Sequence, residues 1–331
     1  MEILAYGVQS DERPLLDAAL ERHQLRMLDV FLTADTAPLA AGFPVVSSSV
    51  NDALDAEVLS LLAAGGTQLV AQRSTGFNNI DLNAAAKLGL TVARVSYYSP
   101  FSVAEHAWTL ALAVNRRLIR SVNRSREFDF RLDGLMGRDI HGMTVGVLGT
   151  GKIGECFARI AAGFGTTLLG WDVAPNPECE ALGMQYVGKE ELLSRSDLVS
   201  LHVPLLDSTH HVVDREALAL MKDDAILVNS SRGGLVDATA LVETLRAGRL
   251  AGVGLDVYEE EADVFFTDRS AQGIADDTLA RLISFPQVLV TSHQAYFTRT
   301  AVGQIIDATA RNVDDFAQGR TNENTLVPQG G

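Results

Sequence analysis

A glycine-rich turn between an apolar run and a helical pattern constrains the fold of this chain more than any other feature. The run Thr144–Leu148 leads into Gly149-x-Gly151-x-x-Gly154, and a segment rich in alanine, isoleucine and phenylalanine follows. The first glycine permits a tight turn, the second lets the backbone approach a pyrophosphate, and the third lets the helix pack on the strand. The order of strand, turn and helix therefore predicts a dinucleotide-binding site, with the phosphates at the helix N-terminus.

A carboxylate after the next predicted strand strengthens this interpretation. Asp172 directly follows the run Thr167–Trp171. It lies about 20 residues after the glycine-rich turn, as the dinucleotide-binding pattern requires. A carboxylate at this point can accept hydrogen bonds from both ribose hydroxyls of an adenosine, and it repels a 2′-phosphate. The sequence therefore predicts NAD as the cofactor.

The composition excludes several classes of protein. The chain has 331 residues, of which 47% are hydrophobic, so it is long enough for two domains with buried cores. The net charge of -15 argues against nucleic acid and anionic membranes as partners. No apolar run approaches the roughly 18 residues of a membrane span, and the first residues do not resemble a signal peptide, so we expect a cytoplasmic protein. The two cysteines, Cys156 and Cys179, form no metal-ligand pattern, and no metal is expected.

Apolar runs and helical patterns alternate along the chain, which is typical of α/β proteins with parallel sheets. The N-terminal part predicts a partner domain without a phosphate-binding turn, with strands at Ile3–Tyr6, Met27–Leu32, Gln68–Ala71 and Thr91–Val95. From residue 144 the pattern predicts a doubly wound sheet with six strands, at Thr144–Leu148, Thr167–Trp171, Leu198–His202, Ile226–Asn229, Ala251–Val257 and Val288–Thr291. Apolar residues at helical spacing between Val302 and Phe316 predict a final helix that returns to the first domain.

Ser99 and Pro100 predict the start of a long helix that is apolar nearly all round. Such a helix must be buried, against the other domain or a second subunit. Glu105 and His106 lie within it. Either could be catalytic by residue type, but we interpret both as partners in hydrogen bonds between domains, because neither lies at a strand end.

Ligands of an open parallel sheet bind beyond the carboxyl ends of its strands, so the residues after each strand are candidates for chemistry. Arg232 follows the fourth strand and can bind an organic acid through two parallel hydrogen bonds, although a surface salt bridge is the alternative. His293 follows the sixth strand and is a candidate proton donor and acceptor. Its carboxylate partner stays open at this stage among four residues after the fifth strand, which are Asp256, Glu259, Glu260 and Glu261. We interpret His202 and the pair His210–His211 as structural.

At these residues the sequence resembles the D-isomer-specific 2-hydroxyacid dehydrogenases, and within them the NAD-dependent fermentative D-lactate dehydrogenases. The matching stretches run in order from about residue 70 to 298: Arg73–Asp81, Tyr98–Pro100 with Val103–His106, Gly149–Gly154, His202–Pro204, Asn229–Gly233, Gly254–Glu259 and Thr291–Ala295. The insertion Glu259–Asp268 and the segment His293–Phe297 are similar to the D-lactate branch in particular.

The resemblance implies a fold of two doubly wound parallel-sheet α/β domains with a cleft between them. In this fold a Rossmann NAD domain, residues 100–296, is inserted into a flavodoxin-like substrate domain, residues 1–99 plus 297–331. It implies a catalytic triad of Arg232, Glu261 and His293, and it selects Glu261 because the family's glutamate falls five residues after Asp256. The residues implied to bind NAD are Gly149, Gly151, Lys152, Ile153, Gly154, Asp172, Val203, Pro204, Thr209, Ser230, Ser231 and Asp256. The residues implied to bind substrate are Ser74, Thr75, Gly76, Phe77, Tyr98, Arg232 and Tyr296.

The activity that the resemblance implies is reversible reduction of pyruvate to D-lactate with NADH. Phenylpyruvate, glyoxylate and hydroxypyruvate are alternative 2-oxo acids for the same fold. An NADH-sensing protein like the corepressors that share this fold is an alternative of a different class, which the complete triad disfavours. We expect a homo-oligomer, a dimer or a tetramer.

Overall fold

The computed structural model describes residues 1–261 and 264–327. The chain divides into two compact units, of which unit 1 is Met1–Ser99 with Thr298–Gly331 and unit 2 is Pro100–Phe297. In the part of the chain that is described, no helix has the length and apolar character that a membrane crossing requires.

Unit 1 contains a mixed six-stranded sheet in the order β13-β5-β4-β3-β1-β2. All neighbouring strands are parallel except β13, which runs antiparallel to β5. The order of the first five strands is that of flavodoxin-like folds. The strands are β1 (Glu2–Ala5), β2 (Gln24–Met27), β3 (Val45–Ser48), β4 (Leu69–Gln72), β5 (Thr91–Ala93) and β13 (Thr325–Leu326). The helices are α1 (Arg13–Ala19), α2 (Ala56–Ala64), α3 (Leu82–Lys87) and α12 (Arg299–Ala317), with a 3₁₀ turn at Ala37–Ala40.

Two strands of unit 1 differ from the sequence-based prediction. The strand predicted at Met27–Leu32 is wrong, because β2 ends at Met27 and the backbone N–H of Leu32 instead donates to the buried carboxylate of Asp52. Strand β3 was not predicted, since half of its four buried residues are serines. Those serines satisfy their hydroxyls inside the sheet: Ser47 donates to the carbonyl of Ala71 and Ser48 donates to the side chain of Gln72.

Unit 2 contains an all-parallel seven-stranded sheet in the order β12-β11-β10-β9-β6-β7-β8. This is the doubly wound Rossmann order with one further strand. The strands are β6 (Thr144–Leu148), β7 (Thr167–Trp171), β8 (Gln185–Tyr186), β9 (Leu198–Leu201), β10 (Ile226–Asn229), β11 (Gly252–Leu255) and β12 (Val288–Val290). The six predicted strands are present, and the two-residue edge strand β8 was missed because it is too short to form an apolar run.

The first two helices of unit 2 precede β6, and the others lie in the connections between its strands. They are α4 (Pro100–Asn115), α5 (Leu118–Arg126), α6 (Lys152–Gly163), α7 (Pro177–Ala181), α8 (Lys189–Arg195), α9 (Arg215–Leu220), α10 (Ala238–Arg246) and α11 (Asp277–Ser284). A 3₁₀ turn at Gly233–Leu235 follows β10 directly. The final helix, α12, packs on α1 and β4 in unit 1, so the predicted return of the chain to the first domain is confirmed.

The apolar helix α4 is buried inside unit 2. It packs on α6 and on the strands β10 and β11. Two glycines of β11 make room for it: a Cβ on Gly252 would lie 2.9 Å from Val114, and a Cβ on Gly254 would lie 2.9 Å from Leu110. Contacts within unit 2 therefore explain the apolar surface of α4, without a contact with another domain or subunit.

His202 lies directly after β9, and its ring packs on that of the buried Phe157, with centroids 4.9 Å apart. Its Nε2 lies 2.9 Å from the Ser200 hydroxyl, and its Nδ1 is inaccessible and has no hydrogen-bond partner among the described residues. Burial lowers the pKa of His202 to about 3. The ring is therefore neutral in the folded chain, in agreement with a structural role.

The neutral ring of His202 predicts a loss of stability in mild acid. The folded chain keeps the ring neutral, whereas the unfolded chain binds a proton below a pH of about 6.5. The stability is therefore complete above that pH and is lost as the pH falls toward 3. Between pH 7 and pH 5 the unmodified chain should lose about 2 kcal/mol that a His202→Asn variant keeps. Tryptophan fluorescence during denaturant unfolding measures this, because both tryptophans, Trp108 and Trp171, lie in unit 2. An equal fall in the free energy of unfolding of both proteins between pH 7 and pH 5 would contradict the prediction.

Candidate active site

A histidine and a carboxylate form a close pair in unit 2, and they come from the segments that follow β12 and β11. The Nδ1 of His293 lies 2.7 Å from Oε1 of Glu261, and Oε2 of the same carboxylate accepts from the backbone N–H of Tyr258 at 3.0 Å. The side chains of His293 and Glu261 are only 14% and 19% exposed. A carboxylate at Nδ1 fixes the ring orientation and directs Nε2 as the nitrogen that can exchange a proton with a ligand.

A left-handed backbone conformation places the His293 ring. Its φ is 52°, which is uncommon for a residue other than glycine. The backbone N–H of His293 donates to the carbonyl of Asp256 at 2.7 Å, and this bond holds the turn. The ring of Phe266 lies 6.2 Å from the His293 ring and that of Tyr296 lies 6.5 Å away, so aromatic groups flank the imidazole.

The carboxylate of Asp256 is fully buried beneath this turn. It accepts hydrogen bonds from the Thr291 hydroxyl at 2.5 Å and from the backbone N–H groups of Gln294 at 3.0 Å and Ala295 at 2.8 Å. The Nε2 of His106 lies 3.2 Å from it. Burial by itself would raise the pKa of Asp256, but these hydrogen bonds and His106 hold that pKa below its ordinary value. The carboxylate is therefore charged and ties the residues around His293 together.

Arg232 lies in the turn between β10 and the 3₁₀ segment that follows. Its guanidinium donates to the Ser231 carbonyl at 2.7 Å, and its own carbonyl accepts from the Asn229 side chain at 2.8 Å. The next residue, Gly233, touches the segment that carries Glu261: a Cβ there would lie 2.0 Å from the carbonyl carbon of Tyr258. Only glycine permits this approach, which brings the Arg232 turn against the segment after β11.

The glycine-rich turn has the features that a pyrophosphate requires. Gly149 has a φ of 92°, and a Cβ on Gly154 would lie 1.9 Å from the Gly149 carbonyl oxygen, so helix α6 packs tightly on the turn. A Cβ on Gly151 would meet nothing within 4 Å, which leaves open space at the start of α6. No side chain caps this helix, and its first N–H groups suit an anion.

Asp172 lies beside the same turn at the end of β7. Its Oδ2 accepts from the backbone N–H of Thr150 at 2.6 Å and from the Thr150 hydroxyl at 3.1 Å, and its Oδ1 accepts from the N–H of Val173. A carboxylate has about four acceptor positions and three are used here, so about one remains for a ribose hydroxyl. Asp172 therefore stabilises the glycine-rich turn and fits the predicted role beside it.

The family profile described as "D-isomer specific 2-hydroxyacid dehydrogenase, NAD binding domain" matches residues 108–295, more than half of the chain. The chain belongs to the D-isomer-specific 2-hydroxyacid dehydrogenase family. NAD is accordingly its cofactor, and the open space beside Gly151 and the uncapped start of α6 fit the pyrophosphate of that dinucleotide.

Individual members of the family align along nearly the whole chain. The 2-hydroxyacid dehydrogenase homolog 1 of Schizosaccharomyces pombe is 44% identical over 99% of this chain and 99% of its own. The D-lactate dehydrogenase of Escherichia coli is 40% identical over 99% of this chain and 100% of its own. Among solved structures, the pyruvate reductase of Chlamydomonas reinhardtii has a TM-score of 0.93 and 39% identity, and the match covers 98% of each chain.

Other residues predicted to bind NAD in this dehydrogenase lie in the turns after β9 and β10. The Ser231 hydroxyl donates to the Val203 carbonyl at 2.7 Å and joins the two turns. The Thr209 hydroxyl donates to the Pro204 carbonyl at 2.6 Å, whereas the buried hydroxyl of Ser230 has no hydrogen-bond partner among the described residues. Lys152 and Ile153 open helix α6. Contacts of these residues with NAD stay predictions.

The predicted substrate loop of unit 1 follows β4. Its carbonyls are bonded within the unit: that of Ser74 accepts from the N–H of Val95, that of Thr75 accepts from Arg94, and that of Gly76 accepts from the Ser74 hydroxyl. No described residue accepts a hydrogen bond from the backbone N–H of Thr75, Gly76 or Phe77. These N–H groups are therefore suited to an anionic group. Substrate binding by this loop and by Tyr98 and Tyr296 stays a prediction.

Three residues around His293 were not recognised from the sequence. No motif singles out Thr291 or Phe266, and the sequence indicates for His106 a hydrogen bond between domains. The structure instead places Nε2 of His106 3.1 Å from the Thr291 hydroxyl, within unit 2. His106 and Thr291 both lie in stretches that match the family. This shared match is the sequence signal from which a contact between them could have been predicted.

Asp172 predicts a preference for NADH over NADPH. An Asp172→Asn variant keeps an oxygen for the Thr150 N–H and removes the charge that repels a 2′-phosphate. We expect the ratio of kcat/KM for NADH to kcat/KM for NADPH to fall by about tenfold, which corresponds to roughly 1.4 kcal/mol. Glu180→Gln removes an exposed carboxylate from the same unit and serves as the control. Equal use of both cofactors by the unmodified protein would refute this role of Asp172.

Proposed function

We propose that this protein catalyses the reversible NAD-dependent reduction of pyruvate to D-lactate, with His293 as the acid–base group. The observation that carries the proposal is the His293–Glu261 pair, 2.7 Å apart and mostly buried, at strand ends of the NAD-binding sheet. The relatives named D-lactate dehydrogenase and pyruvate reductase support a 2-oxo acid as the substrate.

The proposed proton transfer follows from the position of Glu261. In reduction, protonated His293 donates a proton to the substrate oxygen as the carbonyl becomes an alkoxide. NADH supplies the hydride that C2 of the substrate accepts. Glu261 stabilises the positive ring before the transfer and keeps its orientation afterwards. In oxidation the neutral ring acts as the base, so the two directions should have opposite pH trends.

Arg232 is proposed to bind the substrate carboxylate. Its guanidinium can donate two parallel hydrogen bonds to a carboxylate, and its permanent charge can also polarise the neighbouring carbonyl. The Gly233 contact with Tyr258 fixes the turn from which the side chain extends. In unit 1, we propose that the N–H groups of Thr75, Gly76 and Phe77 bind an anionic group of the substrate.

We also propose that the protein is a homo-oligomer. A segment of unit 2 exposes several large apolar side chains, which are Phe128 (84%), Phe130 (72%), Leu132 (82%) and Met136 (91%). Several large exposed apolar side chains within nine residues are typical of a subunit interface rather than a solvated surface. Phe130→Asp should lower the oligomer mass that sedimentation velocity measures. A monomeric unmodified protein at micromolar concentration would contradict the proposal.

Removal of the acid–base pair should abolish most of the turnover. His293→Ala is expected to lower kcat for pyruvate reduction by about two to four decades, because the proton must then come from water. Binding of NADH, measured by its fluorescence, should be unchanged. Glu261→Gln should cause a smaller loss, and it should weaken the opposite pH trends of the two directions.

The adjacent glutamate provides the matched control. Glu260 directly precedes Glu261 in the chain, and its side chain is exposed. Glu260→Gln should therefore leave kcat unchanged. Full turnover by His293→Ala would remove that residue from the mechanism.

A panel of oxo acids tests the substrate assignment. Rates of NADH oxidation with pyruvate, phenylpyruvate, glyoxylate and hydroxypyruvate should give the highest kcat/KM for pyruvate. Arg232→Lys should raise the KM for pyruvate by about tenfold or more and lower kcat less, because the charge stays while the paired hydrogen bonds are lost. A higher kcat/KM for another acid would reassign the substrate. A protein that binds NADH and reduces none of them would instead be a cofactor-sensing protein.

A further inference from the structure

We propose a transition-metal site, distinct from the acid–base pair, formed by His210, His211 and Glu259. One ligand atom from each side chain lies within 4.8 Å of the other two. Within residues 1–261 and 264–327, this is the one group of three histidine, cysteine, aspartate or glutamate side chains that meets this criterion. Two imidazoles and one carboxylate are a donor set that Zn²⁺ binds in proteins, with water in the fourth position.

Both rings point a nitrogen at the same carboxylate oxygen. The Nε2 of His211 lies 2.6 Å from Oε1 of Glu259, and the Nε2 of His210 lies 3.7 Å from the same atom. Ligand atoms around a tetrahedral Zn²⁺ are about 3.3 Å apart when each bond is about 2.0 to 2.1 Å long. The longer distance is close to this value already, and the shorter one must open by less than about 1 Å.

A simple ion pair explains only one of the two histidines. His211 and Glu259 could form such a pair alone, but the ring of His210 stacks on that of His211 with centroids 3.9 Å apart and an angle of 25°. Two positively charged rings at this distance would repel each other. A metal ion requires both rings to be neutral. It binds each Nε2 in the plane of the ring, so the two stacked rings must tilt apart before both nitrogens can coordinate one ion.

The backbone holds the ligands in place independently of the side-chain contacts. The N–H of His211 donates to the Gly234 carbonyl at 2.8 Å, and that of Val213 donates to the Leu235 carbonyl at 3.0 Å. The same 3₁₀ turn contacts the other ligand segment, because a Cβ on Gly233 would lie 2.4 Å from the N of Glu259. One turn therefore positions the backbone of both parts of the site, and only the side chains have to reorient when the metal binds.

The site is open to solvent on the side of His210. The side chain of His210 is 54% exposed, whereas those of His211 and Glu259 are 30% and 25% exposed. An ion can therefore enter without unfolding, and a water molecule can complete its coordination. None of the three side chains takes part in the proposed proton transfer, because Glu261 rather than Glu259 contacts His293.

The test uses the full-length protein after dialysis against a chelator. Titration with Co²⁺ should give the intense visible absorption of a four-coordinate ion, and Zn²⁺ should displace it with a stoichiometry of one per chain. Excess Zn²⁺ should also raise the thermal midpoint, because it binds the folded chain. His210→Ala and Glu259→Gln should each weaken Zn²⁺ binding by roughly tenfold or more.

Two matched variants serve as controls. Glu260→Gln alters the neighbouring exposed glutamate, and His141→Ala removes an exposed histidine elsewhere in unit 2; neither should change Zn²⁺ affinity. Circular dichroism establishes that each variant is folded. His210 lies outside the proposed catalytic groups, so His210→Ala should retain pyruvate reduction. A Co²⁺ spectrum typical of the six-coordinate, solvated ion would overturn the proposal. Equal Zn²⁺ affinity in the His210→Ala variant and the unmodified protein would also overturn it.

Discussion

The arrangement around His293 depends on one buried negative charge, the carboxylate of Asp256. A buried carboxylate must be surrounded by donors or it destabilises the fold. Its donors come from the Thr291 hydroxyl, the backbone after His293 and the ring of His106 on helix α4. The requirement to satisfy this charge therefore fixes how β11, β12 and α4 meet. The His293 ring is held in place as a result of that requirement, through the bond from the backbone N–H of His293 to the Asp256 carbonyl.

Glycines provide the second constraint, because they let turns from different strands touch. Gly154 lies against the Gly149 carbonyl, and Gly233 lies against the backbone of Tyr258 and Glu259. The first contact shapes the glycine-rich turn. The second joins the turn that carries Arg232 to the segment that carries Glu259 and Glu261. A parallel sheet brings its strand ends to one edge, but contacts at backbone distance between the loops need residues without a side chain.

The sequence predicted the large features because these are repeated along the chain. Six apolar runs in unit 2 and the spacing of the glycines are periodic signals, and the structure confirms those strands. Short strands were missed where polar residues interrupt them, as the serines do in β3, or where only two residues pair, as in β8. The strand predicted at Met27–Leu32 was displaced because a side chain from another loop, Asp52, binds the backbone of Leu32. No local pattern records such a contact.

The same limit applies to the candidate site. The strand-end argument selected Arg232 and His293 without knowledge of any relative, whereas the choice of Glu261 among adjacent glutamates needed the family resemblance. In the structure Glu261 contacts His293 and Glu259 contacts His211, so neighbouring glutamates serve different partners. Which carboxylate faces which ring depends on the backbone direction at each residue. That direction is set by tertiary contacts, and the sequence around Glu259–Glu261 does not reveal it.

The uncapped start of helix α6 has a consequence for the stability of unit 2. Most helices begin with a side chain that accepts hydrogen bonds from the first N–H groups, but Gly151 has none to offer. The dinucleotide phosphates can fill that role, so the ligand completes a helix that the chain leaves unfinished. Because the cofactor then binds the folded state alone, its concentration also governs how much of this protein stays folded.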